Sequence, residues 1–203
     1  MNPKVGITVA PADEASWDDI QAVFGSRGEA HRCQCQWFKT SGAQWREGEI
    51  DERAAALREQ TGCADPKAPD TSGLVAYLDG EPVGWCAVQP RTAYPRLLGG
   101  RIPWSGREEA KGDPGVWAVT CFVTRVGYRR RGVSRTLAAA AVEHARRGGA
   151  RAVEGYPIVV QKGQEFSWGE LYVGSHRVFA DAGFREVSRP TPRRVVMRVD
   201  FED

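Results

Sequence analysis

Residues 121–135 read CFVTRVGYRRRGVSR, an apolar, β-branched run that ends in an arginine-rich turn with a glycine inside it. A helical pattern follows at once, with Leu137, Ala141 and Ala145 on one side and Gly148-Gly149 as its stop. A strand that breaks at such a turn and feeds a helix leaves several backbone N–H groups unpaired and pointing one way. The positive end of the helix dipole adds to them, and the sum is a cradle for phosphate. Arg129, Arg130, Arg131 and Gly132, then Val133 and Ser134, have the Arg-x-x-Gly-x-small form of a turn that grips a pyrophosphate. Glycine fits at 132 because a larger residue would obstruct the approach of backbone to phosphate.

Working outward, Val5–Ala10 alternates as a first strand, and Ser16 caps a helix carrying Trp17, Ile20, Val23 and Phe24 as far as Gly25. Residues 26–49 read as irregular, and a second helix is expected over 51–60. Leu74–Leu78 and Val83–Val88 flank Asp79-Gly80-Glu81-Pro82, a hairpin signal. Residues 89–114, broken by prolines and glycines, are expected to form a long exposed excursion. Val116–Thr124 reads as a strand buried on both faces. Ala152–Tyr156, a polar loop over 161–169, a short helix over 175–182 and two strands, Phe184–Val187 and Val195–Phe201, complete the pattern. The order predicts an α/β (α+β) domain over residues 1–203, with a mixed, mostly antiparallel sheet and helices on both faces.

A length of 203 residues fits one domain. A net charge of +2 is too small for a chain-wide nucleic-acid footprint, and no apolar run approaches the roughly 20 residues that span a bilayer. Neither nucleic acid nor membrane is expected as a partner. Five cysteines without framework spacing point to reduced thiols, and the absence of a leader-like start to a cytoplasmic protein. A homodimer is left open.

The strand-turn-helix at 121–135 resembles the acyl-CoA signature of the GNAT superfamily of N-acetyltransferases, and the order of elements over about 5–200 is similar to that family's. A weaker likeness is Phe179-Ala180-Asp181-Ala182-Gly183-Phe184, near the family's aromatic-x-x-x-Gly-Phe. The resemblance implies acetyl-CoA as cosubstrate, with no metal. Its pantetheine arm would lie along Phe122, Val123 and Thr124, and its pyrophosphate on Arg130, Arg131, Gly132, Val133, Ser134 and Arg135. An amine is then the expected acceptor, and a small molecule rather than a histone tail, because the segments 26–72 and 89–114 would crowd the acceptor side with aromatics. Two departures matter. Phe179 stands where many members have an acidic tyrosine, and Ala118 falls near the place of a catalytic glutamate. Two rival readings are therefore carried: a non-catalytic acyl-CoA-binding module, and a transferase for longer acyl chains.

Attack on a thioester needs a neutral amine, yet at pH 7 only about one lysine-like amine in 2,500 is neutral, equivalent to about 4.6 kcal/mol. Glu154 is the expected general base, with a salt-bridged strand carboxylate as its other reading, and Tyr172 the expected proton donor to the thiolate. His176 is a weaker base candidate. Cys33 and Cys35, near His31, lack a second pair to complete a zinc site, so they are expected to line the acceptor pocket beside Trp37 and Phe38. Trp45, Trp85, Trp104 and Trp117 are either further lining or core.

Overall fold

The computed structural model describes residues 6–63, 65, 67–68, 70–160 and 170–201. Seven strands, β1 (Ile7–Pro11), β2 (Gly73–Leu78), β3 (Glu81–Pro90), β4 (Val116–Thr124), β5 (Ala152–Gly155), β6 (Arg185–Thr191) and β7 (Arg194–Asp200), form one sheet. Their order is β1-β2-β3-β4-β5-β7-β6, and only β4 and β5 run parallel. The helices are α1 (Trp17–Phe24), α2 (Gly28–Cys33), α3 (Gly42–Glu47), α4 (Ile50–Thr61), α5 (Pro95–Leu98), α6 (Val133–Arg147) and α7 (His176–Asp181). The mixed sheet with helices on both faces agrees with the sequence reading. The polar loop expected over 161–169 lies outside the described residues, as does Val5.

Alternation along the strands sorts the core into two faces. Leu74, Ala76, Val88, Val119 and Phe122 pack under α6, whose buried stripe is Val133, Leu137, Ala138, Ala141, Val142 and Ala145. Small residues on that stripe let the helix sit close to the sheet. Val75, Trp85, Ala87 and Cys121 point the other way, against Ile20, Val23 and Phe24 of α1 and Leu57 of α4. Ser16 caps α1 as expected, accepting the Asp19 N–H at 3.0 Å.

Two segments differ from expectation. Residues 26–49 contain α2 and α3, too short for a periodic signal, and α3 is opened by a Ser41/Gln44 capping box. Residues 89–114 are not an exposed excursion. They fold into 3-10 turns at Arg91–Ala93 and Ile102–Trp104 around α5, and Arg91, Tyr94, Leu97 and Trp104 are buried. Their prolines and glycines punctuate short helices whose apolar residues pack on β4, β5 and β7 with Ala118, Tyr156 and Val196.

Two features of β4 position the site. Pairing with β3 skips Thr120, because Ala87 faces Cys121 and Val88 faces Val119, so β4 bulges there. Pairing with β5 ends at Val119–Gly155, although β4 runs on to Thr124. Beyond Gly155 the chain diverges, and Ile158 bridges to Ser175 and Arg194 instead. The sheet therefore splits beside the end of β4.

Candidate active site

The turn after β4 runs directly into the N-terminus of α6. Gly132 adopts φ 89°, ψ 0° at the N-cap of α6, and Arg130 is also left-handed at φ 61°. The backbone N–H groups of Gly132, Val133 and Ser134 donate to no acceptor among the described residues. They open on a cleft of ≈ 250 Å³ lined by Thr124, Arg130, Gly132, Val133, Ser134 and Arg135, with no carboxylate in its wall. A Cβ on Gly132 would meet nothing within 4 Å, so the glycine is required by its φ and by the open space in front of it, not by crowding within the protein. Unpaired amides at a helix N-terminus, backed by arginines, form a site for an anion.

Six of the nine residues expected around a cofactor thus share one cleft. The other three lie nearby in different settings. Arg131 reaches over the Tyr128 ring at 5.3 Å, and Phe122 turns its ring into the core, 5.7 Å from Phe179. Val123 lies half-buried on the opposite face, against the core that Tyr172 also borders.

Behind β4, Cys35 is buried in a left-handed conformation, φ 55°, next to Gln34 at φ 43°. A hydrogen bond from the Cys121 thiol, aided by the Trp85 Nε1–H at 3.3 Å, holds the Cys35 thiol below the ordinary range despite burial. Cys121 is correspondingly pushed well up, and burial raises Cys33 to about 11. The pair tethers the segment after α2 to the bulged strand. Among the described residues no group of three or more His, Cys, Asp or Glu is placed to hold a metal ion.

The segment that follows forms a wall. The Phe38 ring is 6.2 Å from Tyr172, which lies in the 3-10 turn Leu171–Val173. Burial pushes the Tyr172 phenol up, while Arg194 and Arg96 pull it down. Arg96 stacks on Trp37 at 3.8 Å and donates to the Thr40 and Ser41 carbonyls. Lys39 donates to Gln89 Oε1 and lies 5.1 Å above the Tyr94 ring; burial lowers its ammonium to about 8. Sequence reasoning missed Lys39, Arg96 and Arg194, because only the fold assembles them. Of the tryptophans, Trp37 belongs to this wall and meets Trp45 edge-on at 5.0 Å. Trp85 is core, Trp104 underlies an arginine cluster, and Trp117 packs on His144 of α6, so those three line no acceptor pocket.

Glu154 has the geometry of its other reading. It is fully buried, accepts from Arg107 and from Arg198 at 2.9 Å, and lies 3.7 Å from Arg91. The Tyr156 hydroxyl donates to it at 2.9 Å. Glu109 joins through Arg91, Arg107 and Arg198, so the cluster clamps residues 89–114 to β5 and β7. His176 begins α7, 3.9 Å from Glu186. Phe179 is buried between Phe122 and Phe184, and Ala118 is buried too.

A mixed sheet split beside a helix-terminal anion cradle is the architecture of the GNAT fold. The family described as Acetyltransferase (GNAT) matches residues 34–161, more than half of the chain, and the chain belongs to it. No curated protein gives a significant match. Similar solved structures include an N-acetyltransferase from Staphylococcus aureus Mu50, with TM-score 0.54, 10% identity and coverage of 96% of this chain and 98% of that one. Another is yncA from Salmonella typhimurium, solved with acetyl-CoA (TM-score 0.53, 14% identity, 97% and 95% covered). A third is the aminoglycoside acetyltransferase AAC(6')-Ib with ribostamycin and coenzyme A (0.54, 16%, 96% and 93%). At these identities the likeness is one of fold.

Proposed function

We propose that the protein transfers an acetyl group from acetyl-CoA to a primary amine of a small molecule. The observation that carries this reading is the cleft at the N-terminus of α6, where unpaired amides face outward beside a β4 edge that β5 has left. The pyrophosphate would rest on the backbone of 130–135, and the pantetheine arm would follow Phe122–Thr124 toward the bulge at Thr120. Acetyl-CoA and coenzyme A in yncA and AAC(6')-Ib support the choice of ligand.

Catalysis then rests chiefly on placement. Holding amine and thioester at attack distance supplies effective molarities of about 10⁵ M or more. A β4 amide freed by the split is suited to the developing oxyanion. Tyr172 is protonated at neutral pH like any phenol, and burial pushes its pKa further up, so it is available as a donor to the departing thiolate. Glu154 receives no proton-transfer role here: its oxygens are committed to arginines and a tyrosine.

Buried alanine and phenylalanine at 118 and 179 favour the second reading, a binding module without turnover. Calorimetry with coenzyme A and thiol release from acetyl-CoA over an amine panel decide between them. Binding with turnover is expected. Binding without turnover on any amine selects the module, and no heat with coenzyme A removes both readings. Faster thiol release from longer acyl-CoA esters on the same amines would select the long-chain transferase.

A further inference from the structure

The wall opposite the open edge of β4 carries positive charge that no carboxylate among the described residues pairs with. Arg194 starts β7 beside the tight β6–β7 turn, where it pairs with Thr191, and it bridges to Ile158 at the divergence after β5. Its Nη2 donates to the Tyr156 carbonyl at 3.0 Å. Among the described residues its buried Nε–H has no hydrogen-bond partner, and no carboxylate pairs with the guanidinium. Tyr172 lies against it, and Arg96 and Lys39 stand on the same wall, bound among the described residues to carbonyl, amide and aromatic groups.

In the cluster around Glu154 each buried arginine faces a carboxylate. Although the Arg91 Nε–H is also without a hydrogen-bond partner among the described residues, its charge is compensated, and it is the missing carboxylate that sets Arg194 apart. A desolvated guanidinium left with a donor unused costs stability unless something arrives to use it. The arriving group has to be an anion, and a flat carboxylate matches the guanidinium fork. A polycationic acceptor is disfavoured by the same wall, since three like charges would repel it.

We propose that Arg194 binds a carboxylate of the acceptor, so that the substrate is an amine that also carries an acid group, such as an amino acid, and not a polyamine or aminoglycoside. This rests on the acetyl-transfer reading for the word acceptor, but the carboxylate site can be tested without it. The shared chemistry has a second source, a carboxylate on the acyl group, and one arm of the test addresses that.

The experiment uses the full chain with acetyl-CoA and a panel of L-amino acids, each beside its own carboxamide, plus spermidine and kanamycin. The acid form is expected to exceed its amide at least tenfold in kcat/KM, although the amide's amine is the less basic and so the more available. Arg194→Leu is expected to bring that ratio to about one with coenzyme A affinity unchanged, and Arg194→Lys to retain part of it. Should the leucine variant not fold, Arg194→Gln, which keeps a donor for the Tyr156 carbonyl, gives the same readout. Equal rates for acid and amide, a ratio untouched in the folded variant, or preference for spermidine or kanamycin overturns the proposal. Faster transfer from succinyl-CoA than from acetyl-CoA to simple amines, lost in Arg194→Leu, moves the carboxylate to the donor and overturns the acceptor assignment. If no amine is turned over although coenzyme A binds, acetyl transfer fails, and thermal shift of the coenzyme A complex with the same pairs reads the site alone. A shift with acids, absent with amides and in Arg194→Leu, supports an acid-binding site; no difference overturns it.

Discussion

At the scale of single residues, two positions show how one atom decides a role. Gly132 holds φ 89° with open space where a Cβ would stand. Gly132→Ala is expected to cost about 1–2 kcal/mol through the left-handed backbone. It should also weaken coenzyme A at least tenfold by putting a methyl in the cradle, while far-ultraviolet circular dichroism stays that of the wild type. Unchanged affinity in calorimetry would place the diphosphate elsewhere. Phe179 shows why the expected tyrosine is missing. A Cβ built on Gly155 would come within 2.4 Å of the Phe179 Cζ, so the ring tip already lies on the β5 backbone. Phe179→Tyr therefore adds a hydroxyl in a packed, apolar place. A loss of about 1–3 kcal/mol in urea unfolding is expected, with no gain in acetylation rate. A faster variant of native stability would return the proton-donor role to this position.

At the scale of elements, the strand-turn-helix from β4 to α6 was legible because its information is local. Apolar run, glycine turn and helical period follow one another without a break from residue 116 to residue 147. The 89–114 segment was not legible for the opposite reason. Arg107 and Arg198 meet Glu154 across 47 and 44 residues, and no periodicity announces a pairing of that span. Proline and glycine gave the breaks between short helices correctly but said nothing of burial. The assembled cluster makes a prediction of its own. Glu154→Gln leaves three buried arginines facing Glu109 with one carboxylate fewer, and removing one partner from a buried charge group costs about 3–5 kcal/mol. The expected outcome is a large fall in denaturation midpoint, with the pH dependence of acetylation unchanged in whatever fraction remains folded. A stable variant with an altered pH–rate profile would make Glu154 the base that its strand position first suggested.

At the scale of the whole molecule, the sheet order and the split between β4 and β5 place the anion cradle at one end of β4 and the uncompensated wall behind its bulge. The first of these could be read from sequence; the second needed residues 39, 96, 172 and 194 to be brought together from the α2–α3 connection, α5, the 3-10 turn at 171–173 and β7. That wall leaves a mark on global stability. Burial lowers Lys39 from 10.5 to about 8, so below pH 8 the native state bears the cost of a desolvated ammonium in full. Between pH 8 and 10.5 the unfolded chain binds the proton that the native chain has released, and stability therefore gains as pH rises through that window. Above it neither state is protonated and the cost is gone. Other thiols and phenols titrate in the same range, so the measurement is a difference between wild type and Lys39→Met. The methionine variant is expected to be the more stable near pH 7, by a margin that shrinks steadily from pH 8 to 10.5. A margin constant across those values would mean that the Lys39 ammonium is solvated in the native state, and that the wall behind β4 carries one buried cation fewer than its packing indicates.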